Sequence, residues 1–180
     1  MSKKHTLEEG QIYAIPLSDK SYTIGQLVNH YPLKKNLSVD TYIFFNYRFS
    51  NKIELVNSID ELDLKKPYSV ITSSGAPWQY DWELIKIKNI ECNKNTILSN
   101  LDNEGYIDGT STNPKVLLKS YFGLFPWDGY FKDDYLEEFL LPNAEMRDDI
   151  KYLKDYTTEE LKELLPPNSP KLIQRLKEED

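Results

Sequence analysis

Alternating apolar and polar positions near the start of the chain predict a β-hairpin. Residues 11–17 (QIYAIPL) and 22–28 (YTIGQLV) each follow a period of two, and the polar break Ser18–Ser21 between them carries turn-forming residues. Pro16 cannot donate to a strand ladder, so we expect it at a sheet edge or a bulge. Gly25, inside the second strand, indicates either a bulge or a close backbone approach.

Further runs rich in aromatic and β-branched residues predict the remaining strands of an antiparallel sheet. We expect them at four places: residues 41–49, 53–56, 68–72 and 116–122. Residues 75–87 (GAPWQYDWELIKI) are also compatible with an extended chain, in which Trp78, Tyr80 and Trp82 would share one face. Packing is the commonest role of such a stripe, but Trp78, beside the Gly-Ala-Pro loop, is also a candidate contact residue. Asp81, on the opposite and polar face, is a further candidate.

Residues 126–141 (PWDGYFKDDYLEEFLL) predict a turn followed by a short helix. The Asp128–Gly129 pair is typical of a turn, and Asp133 is a good N-cap. Acidic residues then fill the first helical turns, where the helix dipole favours them. One buried stripe is expected, made of Tyr135, Leu136, Phe139 and Leu140.

The outward side of this segment is the main candidate for a protein-binding surface. Its candidate contact residues are acidic or aromatic: Trp127, Asp128, Tyr130, Asp133, Asp134, Glu137 and Glu138. Two interpretations of Trp127 stay open. A tryptophan in a tight turn is either an exposed contact or a plug over the core.

The composition becomes charged and helical after Pro142. A capping box at Thr157–Glu160 predicts a helix that ends at Pro166, and residues 171–178 predict another. Their apolar stripes are too narrow for independent helices in water, so these helices must pack on the preceding domain, on each other or on a second chain. We therefore expect an α+β domain over residues 1–142 and a helical extension over residues 143–180 that packs on it.

The predicted fold class is α+β. We expect a strongly twisted antiparallel sheet of about six strands, or a small SH3-like partly open barrel, with a short packed helix and a C-terminal helical tail. The chain has 180 residues, of which 39% are hydrophobic and 13% aromatic, so it can bury a core. Intrinsic disorder of the bulk of the chain is not expected.

The charge of the chain bears on its partners. A net charge of −7 opposes contact with a phosphate backbone, so no nucleic-acid partner is expected, whereas a basic protein would be attracted. No apolar run reaches the ~20 residues of a membrane span, so we expect no membrane partner and a cytoplasmic location.

Few residues offer catalytic or metal-binding chemistry. Cys92, His5 and His30 do not form a zinc set of the usual spacing, and the seven glycines form no phosphate-binding loop. His30 is expected to be a surface or strand-end residue without an obvious partner. We therefore predict a protein that is not an enzyme and has no catalytic residue, metal or cofactor.

Two stretches of the sequence resemble the bacterial immunity protein 26 family: residues 10–28 (GQIYAIPLSDKSYTIGQLV) and residues 122–142 (FGLFPWDGYFKDDYLEEFLLP). Members of this family pair a Gly-x-x-aromatic-Ala-Ile-Pro-Leu strand with a strand that contains Tyr-x-x-Gly. They also carry a Trp-containing turn before a short final helix.

The resemblance implies an immunity protein of a polymorphic toxin system, which binds and neutralises a cognate toxin domain. In that role the acidic residues would steer a basic toxin, and the anchors would be Trp78, Trp127 and Tyr130. The C-terminal tail lies outside the resemblance. An alternative from a different class stays open: an SH3-like module, without catalytic activity, that binds a peptide or a small ligand through an aromatic groove.

Overall fold

The computed structural model, which describes residues 6–33, 37–107, 109–142 and 144–179, contains a five-stranded antiparallel sheet. The strands are β1 (Gln11–Pro16), β2 (Tyr22–Pro32), β3 (Ser38–Phe44), β4 (Ser69–Ser73) and β5 (Glu83–Ile87). Their order is β4-β3-β2-β1-β5, and within the described residues the two edge strands do not pair, so the sheet is not closed. The α-helices are α1 (Lys52–Ser58), α2 (Lys94–Ile97), α3 (Pro114–Tyr121), α4 (Thr158–Leu164) and α5 (Pro170–Glu179). The predicted α+β class, with an antiparallel sheet and C-terminal helices, is confirmed, and the sheet has five strands instead of six.

The predicted hairpin is the β1–β2 pair. Its turn is closed by the backbone N–H of Leu17, which donates to the carbonyl of Ser21 at 2.8 Å. Pro16 lies past the last residue that pairs with β5, so its missing N–H removes no bond from that ladder. Gly25 marks a close approach, because a Cβ added there would lie 2.9 Å from the ring of Phe44 on β3.

The two faces of the central strands are buried by different kinds of side chain. One face carries aliphatic residues: Ile12, Ala14, Ile24, Val28 and Ile43. The other carries an aromatic cluster with ring centroids 5.1 to 6.2 Å apart: Tyr13, Tyr42, Phe44 and Trp82. Burial on both faces explains why β1 is almost continuously apolar, whereas β3 also buries the polar residues Asp40 and Thr41.

The strand predicted at residues 53–56 is wrong, because these residues lie in helix α1. Asn51 caps the helix, and its side-chain oxygen accepts from the backbone N–H of Glu54 at 3.0 Å. Leu55 is buried, whereas Ile53 and Val56 are exposed. A four-residue apolar pattern is too short to distinguish a strand from one side of a helix.

The strand predicted at residues 116–122 is also wrong, because this run forms helix α3 and the residue that follows it. Pro114 occupies the first helical position, where a missing N–H costs no hydrogen bond. The buried side chains recur at the spacing of one helical face: Leu117, Leu118, Tyr121 and Phe122.

The helix predicted after Asp133 is reduced to turns and one short 3-10 helix, Glu137–Phe139. Leu136 and Phe139 are both buried, at the three-residue spacing that a 3-10 helix places on one side. The predicted burial therefore holds for Leu136 and Phe139, whereas Tyr135 and Leu140 are only half-buried and the predicted α-helix does not form.

The chain forms two compact units, one of Met1–Pro114 with Phe139–Ala144 and one of Lys115–Glu138 with Glu145–Asp180. The second unit thus includes residues 115–138, which were predicted to belong with the sheet, and the domain boundary at residue 142 stays a prediction. Helix α4 begins at the predicted capping box of Thr157 and Glu160. It packs with α5 around a small core: Tyr156, Leu161, Leu165 and Leu172. Within the described residues, no helix is long and apolar enough to span a membrane.

We expect Gly25→Ala to destabilise the fold by about 1–3 kcal/mol, because the new methyl group would overlap the ring of Phe44 in a filled core. Chemical denaturation measures the free energy of unfolding. Gly25→Ala combined with Phe44→Leu, which makes room, should cost less than the sum of the two single changes. If the destabilisation of the double variant equals the sum of the two single values, the ring of Phe44 is not what excludes a side chain at position 25.

Candidate functional site

Residues 131–138, which we call the acidic turn, carry most of the predicted contact residues. Their four carboxylates are exposed: Asp133, Asp134, Glu137 and Glu138. Asp133 forms an ion pair with Lys171 of α5. The other three carboxylates make no hydrogen bond or ion pair with the described part of the chain.

An exposed aromatic side chain stands at the start of the acidic turn. Phe131 is 70% exposed, the ring of Tyr135 lies 4.7 Å from it between centroids, and Lys132 Nζ lies 5.9 Å from the centroid of Phe131. An exposed large apolar side chain in the same short segment as three unpaired carboxylates is the composition expected of an anchor with a charged rim. Phe131 is not among the contacts predicted from the sequence, because its position just before the Asp133 cap favours a purely structural role.

Trp127 is a plug. Its side chain is 2% exposed, and its backbone N–H donates to the carbonyl of Lys151 at 2.8 Å. Asp128 accepts a hydrogen bond from the backbone N–H of Leu153 at 2.7 Å through Oδ1. Both residues hold the turn to residues 151–153. Of the two interpretations of Trp127, its burial therefore favours the plug, whereas the contact role of the half-buried Asp128 stays a prediction.

Tyr130 is half-buried and also serves the scaffold. Its hydroxyl donates to the carbonyl of Val116 at 3.0 Å, and its ring lies 4.9 Å from that of Phe125 between centroids. Burial raises the pKa of Tyr130 to about 12, so the hydroxyl stays a neutral donor at physiological pH. The structure thus separates the buried side of residues 126–141 from the acidic turn, which faces solvent.

The predicted aromatic stripe of residues 75–87 is wrong, because Pro77–Tyr80 forms a 3-10 helix before β5 begins. Asp81 ends this helix in the left-handed conformation at φ 63°, and its carboxylate is exposed. Trp78 is 56% exposed, whereas Trp82 is buried against Tyr42. Trp78 and Asp81 therefore remain accessible as contacts, in a unit of the chain other than the one that carries the acidic turn.

Trp78 borders a cleft with a volume of about 510 Å³, a size typical of small-ligand sites. Apolar side chains supply part of its lining: Leu7, Pro32, Leu33, Leu37, Ala76 and Trp78. Polar side chains supply the rest: Thr6, His30, Ser38, Ser74 and Gln79. Among these described lining residues, His30 is the one with an imidazole side chain.

His30 has a partner that was not predicted from the sequence. Its Nδ1 lies 2.7 Å from Oδ1 of Asp40, which is fully buried, while Oδ2 of Asp40 accepts from the hydroxyl of Ser38 at 2.8 Å. Burial raises the pKa of Asp40, although the hydrogen bonds from His30 and Ser38 act in the opposite direction. A signal in the sequence is the position of His30 just after the strand predicted at residues 22–28 and of Asp40 just before the strand predicted at residues 41–49.

A register shift in β2 brings His30 and Asp40 together. β2 and β3 pair Leu27 with Tyr42 and then Asn29 with Thr41, so one extra residue lies between these pairs. This bulge reverses the alternation of β2 and places His30 opposite Asp40. Of the two features that Gly25 indicated, the close approach lies at Gly25 itself, whereas the bulge lies further along the same strand.

The His30–Asp40 pair can orient a proton-accepting nitrogen toward the cleft. A carboxylate that accepts at Nδ1 leaves Nε2 as the acceptor of a neutral imidazole. Within the described residues, no serine, threonine or cysteine hydrogen-bonds to His30, and no cluster of three or more ligating side chains could hold a metal ion. The arrangement is suited to binding a donor group.

No family model matches this chain, and no curated protein or solved structure matches it either. The resemblance to the immunity protein 26 family therefore rests on residues 10–28 and 122–142 alone. The function has to be inferred from those two stretches, from the acidic turn and from the cleft.

We expect Trp78 to account for nearly all quenching of tryptophan fluorescence by acrylamide, because Trp82 and Trp127 are buried. Acrylamide is uncharged, so the net charge of −7 does not repel it. Trp78→Phe should lower the Stern–Volmer constant several-fold, whereas Trp127→Phe should leave it nearly unchanged. Strong quenching that survives Trp78→Phe would contradict the burial of Trp82 or of Trp127.

Asp40 should make stability depend on pH. Because its pKa is raised in the folded state, the folded chain retains this proton to higher pH than the unfolded chain does. Its contribution to the free energy of unfolding is therefore present below pH 3.8, the ordinary value, and is lost as the pH rises through the raised pKa. The groups that face Asp40 are His30, Ser38, Tyr13 and Tyr42.

Asp40→Asn should remove the loss of stability that ionisation of Asp40 causes. The free energy of unfolding of the variant, relative to that of the natural chain, should therefore rise between pH 3.8 and the raised pKa of Asp40. Urea denaturation at a series of pH values measures it. Asp134→Asn, at an exposed carboxylate, is the matched control and should leave the profile unchanged. Superimposable profiles for Asp40→Asn and the natural chain would refute the assignment.

Proposed function

We propose that this chain is an immunity protein that binds and neutralises a cognate bacterial toxin domain by direct protein–protein contact. The observation that carries the proposal is the acidic turn, where the exposed ring of Phe131 and three unpaired, exposed carboxylates lie within eight residues. The two stretches that resemble the immunity protein 26 family support the same function. In this role the protein acts in the cytoplasm of the cell that makes the toxin.

The charge of the acidic turn favours a basic partner. Asp134, Glu137 and Glu138 have no cationic partner within the described residues, so their field extends into solvent. Such a field raises the association rate with a basic surface and opposes an acidic one. A toxin domain that acts on nucleic acid would present a basic surface of this kind.

Phe131 supplies the apolar part of the contact. Most of the binding energy of an interface comes from a few side chains that lose water at its centre, and aromatic residues are common among them. Exposure of 70% leaves most of the Phe131 ring available for burial. Trp127 and Tyr130 support this surface from within instead of contacting the toxin.

The cleft beside Trp78 favours the alternative function, a module that binds a small ligand or a peptide. That function requires only the unit that contains the sheet, whereas toxin neutralisation through the acidic turn requires the other. The two functions therefore depend on separate residues and are separable by mutation.

Reversal of the free charges should abolish toxin neutralisation. The test variant carries Asp134→Lys, Glu137→Lys and Glu138→Lys, and we expect it to bind the toxin about 100-fold more weakly, because attraction becomes repulsion. Phe131→Ser alone should weaken binding by about 30-fold. Co-expression with the toxin domain encoded beside this chain, scored by growth and by the dissociation constant of the purified complex, measures both.

The matched control reverses three exposed carboxylates of the C-terminal helices: Glu159→Lys, Glu163→Lys and Glu178→Lys. It changes the net charge equally, so it should retain neutralisation if the acidic turn itself is the contact. If both triple variants lose toxin binding equally, the effect comes from net charge alone, and the acidic turn is rejected as the contact surface. Failure of the natural chain to restore growth or to bind would reject the immunity function.

A further inference from the structure

We propose that the cleft beside Trp78 is a binding site for an uncharged planar heterocycle of nucleobase or nucleoside size. The site would stack the ligand on Trp78 and hydrogen-bond its edge with His30 and Gln79. This proposal is independent of toxin neutralisation, because it uses no residue of the acidic turn.

The exposed ring of Trp78 supplies the stacking surface. Large aromatic side chains are usually covered in a folded protein, yet Trp78 is 56% exposed at the border of a concave surface. The 3-10 helix Pro77–Tyr80 holds it there, and that helix is fixed by the Gln79 side chain, whose Oε1 accepts from the backbone N–H of Ala76 at 2.8 Å. An aromatic platform held by local structure suits a flat ligand.

His30 supplies an acceptor in a fixed orientation. The buried carboxylate of Asp40 holds Nδ1 at 2.7 Å, and the Ser38 hydroxyl holds the other carboxylate oxygen at 2.8 Å. The imidazole is therefore fixed on its inner side, while 29% of its side chain remains exposed. Its Nε2 has no hydrogen-bond partner within the described residues and is available to accept from an N–H or O–H group.

Gln79 supplies a donor. Because Oε1 of Gln79 is engaged by Ala76, its amide N–H groups are the part that is left for a ligand. His30 and Gln79 thus provide one acceptor and one donor in the same cleft. A ligand that carries both a hydrogen-bond donor and an acceptor complements them, and nucleobases carry both.

The charges near the cleft and its volume restrict the class of ligand further. The Asp40 carboxylate lies behind His30 and opposes an anionic group placed against the imidazole. The lining combines apolar side chains with neutral hydroxyl and amide groups, which favours an uncharged ligand. A volume of about 510 Å³ accommodates a nucleoside.

The test titrates the full chain with adenosine, guanosine, cytidine and uridine, with ribose and the matching 5′-monophosphates as comparisons. Binding is followed by Trp78 fluorescence and by the NMR signals of the His30 ring, one of two histidines in the chain. We expect at least one nucleoside to bind saturably and to shift the His30 signals. Ribose should not bind, and each monophosphate should bind more weakly than its nucleoside.

Substitutions of Trp78 and His30 test whether these two residues contact the nucleoside. Trp78→Ala should weaken binding by about 5- to 100-fold through loss of stacking, and His30→Leu by about 3- to 10-fold through loss of the acceptor. His30→Gln, which keeps an acceptor, should bind better than His30→Leu. Phe131→Ala is the matched control for loss of an exposed aromatic ring and should bind as the natural chain does.

Three results would overturn the proposal. The first is that no nucleoside shifts the His30 signals of the natural chain, and the second is that binding persists unchanged in Trp78→Ala. Since Trp78 is exposed, Trp78→Ala should fold normally, and the dispersion of its NMR spectrum verifies this directly. Tighter binding of the monophosphates than of the nucleosides would also reject an uncharged ligand.

Discussion

The register shift in β2 is the constraint on which the sheet and the cleft both depend. Without it, alternation along β2 would carry His30 to the same face as Ile24 and the aliphatic core. The extra residue between Leu27 and Asn29 turns His30 to the face of Asp40 instead. Asp40 is completely buried, and an unpaired carboxylate there would be costly, so the shift also provides the partner that this charge requires.

Burial of both sheet faces explains the other features of the first unit. Position 25 has no room for a side chain because the ring of Phe44 occupies that space, and the aromatic cluster then continues through Tyr42 to Trp82. The 3-10 helix Pro77–Tyr80 separates Trp82 from Trp78, so one tryptophan enters the cluster while the other borders the cleft. A packed sheet and an accessible aromatic platform thus come from neighbouring residues.

In the second unit, too, the residues that pack are distinct from the residues that face solvent. Trp127 and Asp128 hold residues 126–129 to residues 151–153, and this attachment leaves the acidic turn facing solvent. An acidic segment costs little when its carboxylates remain hydrated, and it keeps its full electrostatic field for a partner. The residues that support this segment are therefore buried, whereas Asp134, Glu137 and Glu138 stay exposed and unpaired within the described part of the chain.

The sequence by itself determined the features that rest on local interactions. The β1–β2 hairpin, the capped helix at Thr157 and the exposed carboxylates of the acidic turn follow from turn residues, caps and charge, which act over a few residues. Tertiary structure decided the rest. The short apolar runs at residues 53–56 and 116–122 form helices because their burial depends on residues far away in the sequence. His30 pairs with Asp40 only because the register between β2 and β3 shifts by one residue.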